Sequence, residues 1–205
     1  MRIDPSLLDA EKCYRLMSGM VVPRPIAWVT SLSGSGVLNL APFSAFTFVS
    51  LKPPMLAISI GHKAGVYKDT AQNILRNEEF VIHIADASLM NAVHESAAEF
   101  PPEVSEVEKL GLETTASEFI KVPRLSLAPI AMECRFRHCF EFGEARTRLI
   151  VGEVMMFHVR DGLLENDKIE TKALDPIARI AGPRYARLGE IVTLETMMQT
   201  SYSKP

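Results

Sequence analysis

Pro23-Arg24-Pro25-Ile26-Ala27-Trp28-Val29-Thr30-Ser31 begins with two prolines, which hold the backbone extended, and continues through four apolar residues into two hydroxyls. The spacing predicts a strand over Ile26 to Ser31, built for burial along most of its length. Its hydroxyl end is placed to face a ligand. Gly34-Ser35-Gly36 follows as a turn, and Val37 to Leu40 returns as the second arm of a hairpin. In the next segment, Asn39-Leu40-Ala41-Pro42-Phe43-Ser44, Pro42 has no N–H to give a ladder. It therefore rules out a regular central strand and leaves neighbouring backbone groups free to meet a planar heterocycle.

Further along, strands and short helices alternate. Phe43 to Ser50 is rich in aromatic and β-branched residues, Lys52-Pro53-Pro54 interrupts it, and Met55 to Ile60 reads as an apolar strand. Asp69 to Asn77 changes period: Asp69 with Gln72 has the form of a capping box, and Ala71, Ile74 and Leu75 make an apolar stripe. Phe80 to Ile84 reads as a strand and Ala87 to Ala98 as a helix. Ile130 to Phe142 and Arg148 to Val159, joined by Gly143-Glu144-Ala145, form two long arms of an antiparallel hairpin. At the other end, Asp4 to Leu16 reads as an amphipathic helix laid across a barrel end.

Two regions resist assignment. From 99 to 127, Phe100-Pro101-Pro102, an acid-rich run and Lys121-Val122-Pro123-Arg124 carry too many breakers for a regular element, so an irregular surface excursion is expected. Pro176, Gly182 and Pro183 keep an extended C-terminal tail irregular, with room for a short edge strand over Ile191 to Leu194. The expected class is mainly β with peripheral helices (α+β), with residues 1–205 forming a single domain.

Composition excludes several functions. The net charge of −3 comes with dispersed Lys and Arg, so no nucleic-acid footprint is present. No run approaches the ~18 apolar residues of a membrane span, and no apolar segment follows a basic start, so the chain is expected to be neither exported nor embedded. Cys13, Cys134 and Cys139 are odd in number and lack CxxC spacing, which points to reduced thiols in buried strand or helix contexts and a cytoplasmic location.

Lys68-Asp69-Thr70 stands at the predicted helix start, where backbone N–H groups, a cation and a hydroxyl converge as they would on a phosphate, with Asp69 as the cap. Other chemistry is not supported. His62, His83, His94, His138 and His158 lack paired metal-ligand spacing, and His138 and His158 read as structural hydrogen-bonding residues. Trp28 reads as core, the methionines as packing, and the acids from Glu99 to Glu108 as a solvated face. No G-x-S-x-G elbow supports a serine hydrolase at Ser31, Ser44 or Ser50, and Gly34-Ser35-Gly36 precedes a strand rather than the helix of a dinucleotide fold.

The ordered series RPIAWVTS, NLAPFS, a PP break and KDT resembles the flavin reductase-like FMN-binding proteins, flavoredoxin-like members included. Phe80-Val81-Ile82-His83, Ser126 to Cys134, Gly152-Glu153-Val154 and Ala178 to Tyr185 extend the resemblance over most of the chain; His83 departs from it, since many relatives carry Asn there. The resemblance implies an antiparallel split β-barrel and non-covalent FMN. It places Thr30 and Ser31 beside the flavin, Asn39, Leu40, Ala41, Pro42, Phe43 and Ser44 along the ring or ribityl chain, and Lys68 with Thr70 on the phosphate. It also implies a homodimer, with the middle excursion and the tail wrapping a neighbour.

The activity implied is NAD(P)H-dependent flavin reduction, in which NADH or NADPH delivers electrons through FMN to free flavin, a partner oxygenase or another acceptor. No protein side chain is expected to be catalytic in the acid–base sense. The alternative is a flavoredoxin-like carrier that exchanges electrons with a redox partner protein and not with NAD(P)H. A third reading is a binding module that keeps the barrel without turnover.

Overall fold

The computed structural model describes residues 1–63 and 65–195. In chain order the elements are α1 (Ala10–Met20), β1 (Arg24–Pro25), β2 (Ala27–Leu32), β3 (Leu38–Phe43), β4 (Phe46–Leu51), β5 (Pro54–Ile60), β6 (His62–Lys63) and β7 (Val66–Tyr67). Next come α2 (Asp69–Asn77), β8 (Glu79–Ile84), α3 (Met90–Glu95), α4 (Glu106–Lys109), β9 (Thr114–Thr115), β10 (Arg124–Leu125), β11 (Ile130–Phe142) and β12 (Thr147–Val159). β13 (Leu164–Glu165), β14 (Lys168–Ile169), α5 (Thr171–Leu174), β15 (Ala178–Arg179) and β16 (Tyr185–Ala186) complete the series.

Seven strands form one antiparallel sheet in the order β3-β2-β8-β11-β12-β5-β4. Laid flat, six inter-strand gaps would separate the outer strands by about 29 Å. Yet β3 and β4 are joined through only Ser44 and Ala45, a link that spans at most about 11 Å. The sheet therefore curls, and the Ser59 amide bonds the Ala45 carbonyl at 2.8 Å, carrying the β4–β5 pairing into the link from β3. The result is the expected antiparallel, mainly β split-barrel class.

Ala27, Val29, Phe43, Ile58, Phe80, Ile82 and Ile150 fill the interior, with Ala71 and Ile74 of α2 packed among them. A second cluster covers the outer face of β2 and β3, where Trp28 and Leu40 meet Leu89, Val93 and Val107. β2 is thus buried on both faces, which is why its sequence runs apolar without alternation. Trp28 is core, and its indole N–H donates to Ser96 Oγ at 2.9 Å.

Several boundaries differ from the sequence expectation. Asp4 caps a short turn over Pro5–Leu7, and Asp9, accepting from the Lys12 amide, starts α1, which runs on to Met20. No residue of α1 is buried, so it is not packed across a barrel end. The stretch 43–50 divides at Ser44 and Ala45 instead of forming one strand, and the 87–98 helix is a 3-10 turn leading into the shorter α3.

The 99–127 segment does not skirt the surface: Val107, Ile120, Val122 and Leu125 are buried and α4 lies along β3. Through these residues the segment packs on its own barrel. Ile191 to Leu194 form no strand, and the last part of the expected tail, 196–205, lies outside the described residues. Of the cysteines only Cys134 is fully buried, and burial pushes its thiol pKa up; Cys13 and Cys139 are partly exposed. No helix among the described residues is long and apolar enough to cross a membrane.

Candidate functional site

The start of α2 opens onto a cleft of about 410 Å³, bordered by β3, the β6–β7 hairpin and the segment after α3. Asn39, Ala41 and Pro42 come from β3, Val66 and Tyr67 from β7, and Lys68, Asp69 and Thr70 from the helix start. The helix begins one residue earlier than a cap at Asp69 would allow. Lys68 is the N-cap, in extended conformation with no side-chain capping bond, and Asp69 is the first helical residue. The first intrahelical bonds run from the Ala71 and Gln72 amides to the Lys68 carbonyl. The Asp69 and Thr70 amides precede them and take no carbonyl of their own helix.

The other border is an edge strand whose outward groups are used in turn. Ser105 Oγ donates to the Leu38 carbonyl at 2.7 Å, and the Leu40 amide donates to Glu106 Oε2 at 2.9 Å. By the two-residue repeat of a strand, Pro42 is the next residue facing outward. Its missing N–H falls where an amide would have no strand partner, so Pro42 sits inside β3 without breaking its pairing to Trp28. Glu106 was expected among solvated acids, but it is largely buried; burial raises its carboxyl pKa, partly offset by the Leu40 hydrogen bond.

Behind this border a polar network ties sheet to helix. Asn39 Nδ2 donates to Thr70 Oγ1 at 2.9 Å, and Asn73 Nδ2 donates to Ser31 Oγ at 3.2 Å. Thr70 Oγ1 accepts in that pair, so its hydroxyl proton remains a donor. Ser31 is fully buried behind Asn39 and anchors α2 rather than lining the cleft. Thr30 points to the other face of β2, where its hydroxyl donates to the Pro123 carbonyl at 2.9 Å. Leu40 lies in the second core cluster. Phe43 belongs to the barrel interior, with Lys68 Nζ 5.6 Å from its ring centroid, and Ser44 accepts from Arg24 Nε at 3.2 Å. Of the ten residues expected at a ligand, Asn39, Ala41, Pro42, Lys68 and Thr70 line the cleft; Thr30, Ser31, Leu40, Phe43 and Ser44 do not. On β2 the period of two sends neighbouring hydroxyls to opposite sides, Thr30 to the Pro123 carbonyl and Ser31 to Asn73.

Sequence reasoning missed the far wall, Val66, Tyr67 and Ser96 to Phe100, together with Glu106. Tyr67 is held from three sides. Its hydroxyl donates to Glu141 at 2.6 Å, the Arg148 guanidinium carbon lies 3.1 Å from its ring centroid, and the His62 ring lies at 3.9 Å. The Tyr67 hydroxyl, then Arg146 and Arg148, hold the Glu141 carboxyl down to about 2. The signal for Glu106 was the Ser105–Glu108 cap of α4, which starts a helix where the sequence suggested only a charged run.

Comparison with known proteins identifies the family of the fold. Nitrilotriacetate monooxygenase component B from Bacillus cereus is 41% identical and superposes with a TM-score of 0.92, covering 95% of this chain and 98% of that one. A 2-nitrobenzoate 2-nitroreductase from Pseudomonas fluorescens is 32% identical with a TM-score of 0.87, covering 100% and 99% of the two chains. An uncharacterized protein of Halalkalibacterium halodurans is 40% identical over 200 residues, covering 95% of this chain and 96% of its own. The sequence model of the flavin reductase like domain matches residues 17–175, which include every strand of the barrel, and the chain belongs to that family.

Proposed function

We propose that the chain is an FMN-binding, NAD(P)H-dependent flavin reductase. The observation that carries the reading is the uncapped start of α2, which brings Lys68, Thr70 and two backbone amides to one end of a cleft whose other border is the β3 edge. The volume suits a cofactor site, and the donor set suits a phosphate. Asp69 adds one unfavourable charge there, which Lys68 offsets. Lys68, Thr70 and the Asp69 and Thr70 amides would hold the phosphate, and Asn39, Ala41 and Pro42 would border the ring system. Tyr67, braced by Glu141 and Arg148, holds the far wall in place. When bound, the flavin supplies hydride acceptance and one- or two-electron transfer.

The 41% identical Bacillus cereus protein is a component of a monooxygenase, which supports onward transfer to free flavin or to a separate oxygenase. The test is an absorbance titration with FMN, followed by NADH or NADPH without oxygen. A bound flavin band near ~450 nm that bleaches with either nucleotide is the expected result. Bleaching by dithionite alone would replace the reductase by an electron carrier, and no bound flavin would overturn the reading.

A further inference from the structure

A second cavity of about 380 Å³ adjoins the cleft, sharing Asn39, Asp69 and Glu106 with it. One face of α2 lines it: Asp69, Gln72, Asn73 and Arg76 recur at the spacing that stacks side chains along a helix. From Asp69 to Arg76 the helix rises about 10 Å, enough for a nucleoside beyond the phosphate site. Pro101 and Pro102 add apolar surface. Arg76 is seated against the turn after β2, where Gly34 leaves room: a Cβ at that position would stand 2.3 Å from Arg76 Nη1. Among the described residues no hydrogen bond or ion pair engages the guanidinium.

We infer that this outer cavity seats the adenosine end of a dinucleotide, NADH or FAD, that reaches past the phosphate site of the cleft. The inference rests on the flavin reading above. Charge chooses the ligand. Asp69, Glu103 and Glu106 face the cavity against one guanidinium, so it disfavours a further phosphate and favours groups that donate hydrogen bonds. A ribose with free hydroxyls and the exocyclic amine of adenine are such groups, and the planar guanidinium is a stacking surface for the base. A ribose carrying a 2′-phosphate meets the carboxylates unfavourably, which sets NADH ahead of NADPH.

The experiment titrates the full chain with FMN and FAD, and the FMN-loaded chain with NADH and NADPH, for wild type, Arg76→Ala and Gly34→Ala. Gly34→Ala keeps the charge but displaces the guanidinium. FMN affinity is expected to stay within about twofold in both variants, while FAD or NADH weakens by about fivefold, the scale of one exposed stacking contact. Loss confined to FAD identifies the flavin as the source of the adenosine, and loss confined to NADH identifies the nicotinamide nucleotide. Unchanged dinucleotide affinity in both variants overturns the subsite, as does a parallel loss of FMN. NADPH binding more tightly than NADH, with the preference erased in Arg76→Ala, would overturn the ribose assignment. Failure of wild type to bind FMN is a separate result that overturns the flavin reading itself.

Discussion

The imidazole of His83 joins two strands: Nδ1 lies 2.9 Å from the Trp28 carbonyl oxygen, and Nε2 lies 2.9 Å from the Leu125 amide nitrogen. An amide can only donate, so Nε2 is bare and Nδ1 carries the proton. His83 is therefore a neutral, fully buried strut.

A pH dependence of stability follows. Burial lowers the His83 pKa from 6.5 to about 4. The unfolded chain takes up this proton first as pH falls, so the contribution is full above pH 6.5 and is lost progressively toward pH 4. The loss reaches about 3 kcal/mol. Urea unfolding at about pH 7 and about pH 5 is expected to give a steeper drop for wild type than for His83→Gln; parallel drops would count against it.

Lys68→Ala is expected to weaken FMN binding by about 1.5 to 3 kcal/mol, the worth of a charge-assisted hydrogen bond. Fluorescence titration reads the change directly. An unaltered affinity would remove Lys68 from the phosphate site.

Gly152→Ala tests the packing of the barrel. A Cβ there would stand 2.4 Å from Phe80 Cζ and 3.3 Å from the Arg135 carbonyl oxygen, and Phe80 is fully buried. Overpacking of this kind costs about 1 to 3 kcal/mol. Chemical denaturation should show it as a lower midpoint with an unchanged slope.

Glu133 is a buried carboxylate that accepts from the Glu118 and Phe119 amides at 2.8 and 2.7 Å and from His158 Nε2 at 2.7 Å. Glu133→Ala strips acceptors from two backbone amides at once. A loss of about 2 to 4 kcal/mol is expected, with faster amide exchange at Glu118 and Phe119 as the site-specific readout.

We also propose a second copy of the chain as partner. Tyr14, Met17 and Met20 of α1 and Phe48 and Leu51 of the edge strand β4 are exposed apolar side chains, more than isolated surface residues require. Light scattering is expected to give twice the chain mass, and Phe48→Lys with Leu51→Lys to lower it; a monomeric wild type would sink the proposal.

What the sequence determined was local. The long hairpin of β11 and β12 was legible to within one residue at each end, because its runs of strand-forming residues end at a glycine turn. So was α2, whose apolar stripe matches one helix face. Lys68 and Thr70 were legible with it, since a helix start is a feature of contiguous residues. The tertiary structure decided which face of each strand meets the cleft. β2 is covered on both sides, so its sequence has no alternation to show that Thr30 faces away from α2 and Ser31 toward it. It also decided the far wall: Tyr67, Ser96 to Phe100 and Glu106 reach the cleft only because the curled sheet and the helices packed on it bring separate segments together. Local periodicity is written in neighbouring residues; convergence of distant ones depends on how the sheet closes.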